Sequence, residues 1–134
     1  MWFRRFCVII DYVRVHLTIQ MCRGFKFMKK ETIDRIRRFS QERDWDQFHS
    51  PANLAKSISI EANELLECFQ WSDTDYDIQN VKEELADVIV YCQDMLDKLN
   101  LDVDEIVNMK MSQNEAKYPV EKAKGTSAKY NRLG

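Results

Sequence analysis

Glycine and proline are scarce in this chain, three and two respectively among 134 residues, so few positions can turn or break the backbone by conformational preference alone. That leaves long regular segments rather than many short, tightly turned ones. Histidine is rarer still. Only His16 and His49 are there to join Cys7, Cys22, Cys68 and Cys92, and no CxxC spacing occurs, so a structural zinc site has little support. The cysteines read as reduced thiols of a cytoplasmic protein. No apolar run is long enough to span a membrane: the one candidate, around FCVII, is interrupted by Asp11 and Arg14, and no small-residue cleavage site follows it as a secretory signal requires. Neither a Ser-His-Asp set nor an activated Cys is apparent, so a covalent route has no candidate.

What the chain does have is 45% hydrophobic and 31% charged residues, distributed at the period of long amphipathic helices. The expected class is all-α, in one domain near the size at which further burial through oligomerisation helps. The net charge of −2 hides a split. Residues 1–27 carry Arg4, Arg5, Arg14, Arg23 and Lys26 against Asp11 alone, leaving 15 basic and 21 acidic residues in the body. An acidic body argues against a nucleic-acid groove and for bound cations.

The same 27 residues differ in period. Val13, Val15, Leu17, Ile19 and Met21 alternate with polar neighbours as in a strand, whereas MKKETIDRIRRF from Met28 begins a helical pattern. Three readings are open: an appended or upstream-translated extension before a start at Met28, an edge strand used in assembly, or a membrane-surface segment. The extension is favoured because a lone strand has no partner in a helical domain. The domain itself is expected at 28–117, followed by a polar, irregular tail at 118–134.

Four helices are expected. The first runs from about Lys30 to Asp44, with Ile33, Ile36 and Phe39 on a narrow apolar face. RDWDQFH connects it to a second, opened by Ser50 as N-cap and Pro51 at the first helical position, running to about Trp71. SDTDYD breaks the pattern. A third helix spans about Ile78 to Asn100, with Val81, Leu85, Val88, Tyr91, Cys92, Met95 and Leu99 facing inward. Asp102 and Glu105 open a fourth, through Ile106 and Met109 toward Ala116.

The chemistry lies on helices two and three. In SISIEANELLECFQW, Glu61, Glu64 and Glu67 follow one another at three-residue spacing along an otherwise apolar helix, and KEELADVIVY repeats the device with Glu84 and Asp87. Packed antiparallel, the two helices would gather Glu61, Glu64, Glu84 and Asp87 around one pocket, with Glu67 and Glu83 as solvated members. Four carboxylates in a small volume must take up protons or neutralise a cation. The bland reading of an acid on a helix is solvated surface, but here each pair borders apolar neighbours: Ile58, Ile60 and Leu65 on one helix, Leu85, Val88 and Ile89 on the other. Oxygen-only ligands favour Mg²⁺, with Mn²⁺ as the alternative. A di-iron bundle would want Glu-x-x-His pairs, and neither helix has a His.

These blocks carry a resemblance. EANE and EELAD on successive helices look like the signature of the MazG-like all-α nucleoside triphosphate pyrophosphohydrolases. RDWDQFHSPANL, EANELLECFQW, EELADVIVYC and KMSQNEAKYP are similar, in order and spacing, to blocks of the dCTP pyrophosphatase branch, over about Ile33 to Tyr130. The resemblance implies a helical fold assembling as a dimer or dimer of dimers, and Mg²⁺-dependent hydrolysis of a deoxynucleoside triphosphate to the monophosphate and pyrophosphate. It implies metal ligation by Glu61, Glu64, Glu84 and Asp87, and a base and sugar pocket with Trp45, Trp71 and Tyr91. Lys110, Asn114, Lys117 and Tyr118 resemble phosphate and sugar contacts. Indole faces suit stacking on a pyrimidine, worth about 1–3 kcal/mol per base, although Trp45 and Trp71 also fit as helix-end core aromatics. His49 fits a substrate hydrogen bond or simple packing in its loop. On helix one, where the animal members have a pocket His, this chain places Ile36, which bears on cytosine selectivity. The loop after Trp71 is shorter than in the animal members, closer to compact microbial or phage-like ones.

The expected chemistry is direct attack by water, with Glu61 or Glu64 taking its proton and Mg²⁺ bridging the phosphates. The biological role would be cleaning the nucleotide pool of unwanted pyrimidine triphosphates, by a homodimer or homotetramer needing no nucleic-acid polymer and no membrane. The alternatives are a non-catalytic nucleotide sensor and a structural dimerisation module.

Overall fold

The computed structural model describes residues 28–133, so the strand, extension and surface readings of residues 1–27 lie outside the described residues. The chain divides after Phe39 into two compact units. Among the described residues all regular structure is helical: α1 Lys30–Glu42, α2 Pro51–Glu67, α3 Ile78–Leu99, α4 Val103–Lys117 and a single turn, α5 Val120–Ala123, with 3-10 turns at Trp45–Gln47 and Tyr130–Arg132. The all-α class expected from the sequence is borne out.

Local chemistry sets the boundaries. On α1, Ile33 and Ile36 are partly buried and Phe39 is exposed, while Lys30 and Arg37 flank Asp34 within one turn and hold its carboxyl below the usual carboxylate range. The chain leaves the helix at Asp44, whose φ of 52° lies in the left-handed region. Ser50 Oγ accepts from the Asn53 backbone N–H at 3.1 Å and Pro51 occupies the first turn, so α2 starts where the sequence indicated. Its end is earlier than expected, at Glu67 rather than near Trp71. The last backbone bonds tighten from Cys68 N–H to the Glu64 carbonyl into Phe69 to Leu66 and Gln70 to Glu67, a 3-10 finish that stops the helix.

The α2–α3 connection is held by the Ser72 hydroxyl, which accepts from the Thr74 and Asp75 N–H groups. Phe69 and Tyr76 meet across it edge to face at 4.7 Å. Asp77 and Asp102 cap α3 and α4 by accepting from Gln79 and Glu105, and Asn100, at φ 50°, ends α3 in the left-handed conformation that Asn tolerates. The tail is less irregular than expected. Pro119 precedes the turn α5, Gly125 at φ 76° ends it, and Tyr130 returns to Tyr118, ring centroids 6.1 Å apart.

Within Ser40–Leu133, α2 against α3 is the one extensive helix pairing. Ser57 meets Tyr91, Glu61 meets Asp87 and Glu64 meets Glu84. Each step up one helix is a step down the other, so the pair is antiparallel. Leu54 is the fully buried side chain of this layer, at 1% exposure. Not every expected inward residue of α3 is covered: Val81, Val88, Tyr91 and Met95 are partly buried, whereas Leu85, Cys92 and Leu99 are exposed. The apolar stripe on α3 is wider than one helix can cover.

Candidate active site

The antiparallel register does to the acids what their spacing anticipated. One carboxylate oxygen from each of Glu61, Glu84 and Asp87 lies within 4.8 Å of the others, from partly buried Glu61 and Glu84 and exposed Asp87. Glu64, also exposed, joins them through a side-chain hydrogen bond with Glu84. Desolvation by the helix pair, then the facing carboxylates Glu64, Asp87 and Glu84, push the Glu61 carboxyl above the ordinary range. Glu84 is raised by the same first cause, then by Glu64, Asp87 and Glu83 and by its side-chain hydrogen bond with Glu64. Each carboxylate thus finds its neighbours' charge unfavourable, and a hard divalent cation would relieve that. The donor set is all oxygen, comes from two rigid helices and converges on one point. It fits Mg²⁺ or Mn²⁺ and does not fit a soft metal.

Tyr91 stands beside the acids. Its phenol is pushed up by desolvation and by Glu61, Asp87 and Asp94, against a hydrogen bond with Ser57 that lowers it. Trp45 begins the 3-10 turn before α2, and its ring meets that of His49 edge-on at 6.5 Å. Trp71 lies on the other side of α2, on the α2–α3 connection, and is 89% exposed. Lys110 is exposed and Asn114 partly buried on α4. Lys117 lies 5.5 Å over the Tyr130 ring, which also packs on Tyr118. Among the described residues, no hydrogen bond or ion pair joins these α4 side chains to the acids. Within one protomer the structure therefore gathers the four acids and Tyr91. It puts Trp45 with His49 at one end of α2, and Trp71 beyond the other.

Sequence reasoning missed Ser57, Asp94 and Lys98. Asp94 faces His49, with Nδ1 to Oδ2 at 3.8 Å, and Lys98 Nζ is 3.0 Å from Asp46 Oδ1. Spacing flags pairs within one helix, and these are pairs between elements, so only the i, i+4 relation of Asp94 to Lys98 could have hinted at them.

An all-helical layer with a cluster of carboxylates between two antiparallel helices points to the class. The model of the MazG-like family matches residues 56–133. The dCTP pyrophosphatase 1 of Mus musculus is 38% identical over 124 residues, spanning 83% of this chain and 73% of that protein. Its counterpart in Homo sapiens is 36% identical over 122 residues, 81% of this chain and 72% of the other. A crystal structure of a pyrophosphatase from Archaeoglobus fulgidus superposes with a TM-score of 0.63 at 41% identity, covering 67% of this chain and 91% of that one. The chain belongs to the MazG-like family.

Proposed function

We propose that this protein hydrolyses deoxynucleoside triphosphates, dCTP-like pyrimidines foremost, to the monophosphate and pyrophosphate in a Mg²⁺-dependent reaction that clears unwanted pyrimidine triphosphates from the nucleotide pool. Its class is that of its relatives: it is a nucleoside triphosphate pyrophosphohydrolase. The observation that carries the reading is the convergence of Glu61, Glu84 and Asp87 on one point, with Glu64 bonded to Glu84. Mg²⁺ held there by the four acids would supply charge neutralisation for the phosphates and make water a stronger nucleophile. The protein's own groups do the rest. Glu61 or Glu64 takes the proton of the attacking water. Trp45 and Trp71 stack on the base, Tyr91 and His49 offer polar contacts, and Lys110, Asn114, Lys117 and Tyr118 hold phosphate and sugar.

The working unit in this proposal is a homo-oligomer, a dimer or a dimer of dimers. Its support is the large amount of apolar surface one chain leaves in water, including Ile60, Leu66, Val107 and Met109, all at least half exposed. We place the protein in the cytoplasm with its thiols reduced. Cys68 and Cys92 are free, and no helix among the described residues is long and apolar enough to cross a membrane.

The test is pyrophosphate release from a panel of canonical and modified dNTPs with and without Mg²⁺. The expected result is metal-dependent release, fastest for a cytosine-type substrate. Nucleotide binding with no turnover on any substrate would replace the reading with that of a sensor, and absence of both would leave a structural module.

A further inference from the structure

The connection that carries Trp45 is fastened to α3 at two points one helical turn apart. Lys98 Nζ donates to Asp46 Oδ1 at 3.0 Å and to the Asp46 carbonyl at 3.3 Å. One turn earlier, Asp94 Oδ2 faces His49 Nδ1 at 3.8 Å. The two links differ in kind. The Asp46 side chain is 77% exposed, so its pair is a surface one that contributes little. The side chains of His49 and Asp94 keep only 16% and 10% of their exposure. A carboxylate so far out of water favours a donor beside it, and among the described residues the imidazole is the group that faces it, in ion-pair range rather than at hydrogen-bond distance. The charged groups around Asp94 agree: burial pushes its carboxyl up, His49 opposes that, and Asp97 and Asp46 add to it. Asp94 is not part of the acid cluster. It lies seven residues past Asp87 on the same helix, about 10 Å further along the axis.

The two nitrogens of a neutral imidazole are not equivalent, and the partner of one decides what the other can do. We propose that Asp94 is a positioning residue: facing Nδ1, it holds the proton of His49 there and leaves Nε2 as an acceptor, so that this end of the pocket selects a base edge that donates. The exocyclic 4-amino group of a cytosine-type pyrimidine fits that acceptor, and the 4-carbonyl that a uracil- or thymine-type base presents at the same position does not. The selection step rests on the reading that His49 and Trp45 line the nucleotide pocket. The positioning step rests on the geometry of the connection alone.

Two readouts keep these apart. ¹⁵N NMR of the imidazole rings at pH 8, with His16→Gln to assign His49, should show the proton on Nδ1 in the otherwise unaltered chain. Asp94→Leu should give a tautomer mixture, and Asp94→Asn, which keeps an acceptor oxygen, should stay close to the starting state. A His49 proton on Nε2 in the starting protein overturns the positioning whatever the activity. Circular dichroism confirms that each variant is folded, and Asp94→Ala, which removes the acceptor with less bulk and should give the same tautomer mixture, carries the comparison if the Leu variant is not. In turnover, Asp94→Leu should lower the preference for dCTP over dUTP about tenfold, the worth of one hydrogen bond, through KM rather than kcat. In a His49→Ala background it should change the preference no further. An equal loss on both nucleotides, or a full additional loss in the His49→Ala background, would show that Asp94 does not act through His49. No turnover on any nucleotide, with the Nδ1 tautomer present, would sink the functional reading and leave the positioning intact.

Discussion

Glu61 and Glu84 can be understood only through the side chains facing them, because desolvation and like charge both favour their protonated forms. For a carboxyl whose folded pKa lies above its unfolded value, the associated stability is full below the unfolded value, here the ordinary 4.5, and is lost as pH rises through the folded value. The metal-free protein should therefore lose melting temperature as pH climbs through that window, and saturating Mg²⁺ should restore it at neutral pH. Calorimetry with EDTA or Mg²⁺ measures this, and a Glu61→Gln, Glu84→Gln chain should lack both the slope and the metal response. Glu64→Gln and Asp87→Asn each remove one carboxylate from the cluster. Both should lower Mg²⁺-dependent turnover by about 10²-fold or more while leaving the metal-free fold as stable or more so. Wild-type turnover in both variants would take these residues out of the site. The acids were legible in the sequence because their three-residue spacing falls on helices whose other residues are apolar. Asp94 was not, since what makes it consequential is a partner 45 residues away that no periodicity encodes.

At the level of elements, caps and breakers accounted for most boundaries. Ser50-Pro51, Asp77, Asp102 and Asn100 each do in the structure what their residue types do generally. The same chemistry predicts the size of an error at a cap. Ser50→Ala leaves the Asn53 N–H without its acceptor at the start of the helix that carries Glu61 and Glu64, and should cost about 1 kcal/mol, read as a lower urea midpoint with unchanged slope. A loss well under half of that would mean water replaces the hydroxyl there. Two elements departed from their pattern for physical reasons. The apolar residues Leu65, Leu66 and Phe69 extended the helical period of α2 beyond Glu67, but the backbone had already tightened to i→i+3 bonds before Trp71. In the tail, polar composition masked the order that Tyr130 imposes by packing on Tyr118 and beneath Lys117.

At the scale of the whole molecule, the proposed function asks for more than one chain. Trp45 and Trp71 lie beyond opposite ends of α2, whose 17 residues span about 25 Å at 1.5 Å per residue. A nucleobase is far smaller than that, so in the proposed site one base would not bridge the length of the helix to stack on both indoles of one chain. In the proposed homo-oligomer, a two-fold partner that set the Trp45 end of one chain by the Trp71 end of the other would supply the second indole and cover apolar residues of α2, α3 and α4 that one chain leaves exposed. The sequence suggested an oligomer through the number of apolar positions, and the proposal of which ends would meet in it rests on the helix lengths, which the sequence left open at the end of α2. Starting the chain at Met28 should leave assembly and turnover nearly unchanged, measured by light scattering and pyrophosphate release, if residues 1–27 are an appendage. Loss of assembly would make them part of the interface. The shared pocket has a sharper consequence. In a mixture of inactive Glu64→Gln and inactive Trp45→Ala chains, each hybrid dimer has one site carrying both lesions and one carrying neither. With free exchange half the dimers are hybrids, so the mixture should recover about a quarter of wild-type activity, and dilution below the assembly constant should abolish it. If well-exchanged mixtures stay inactive, or a monomer turns over at full rate, then acids and indole act within one chain and the base rests on Trp45 alone.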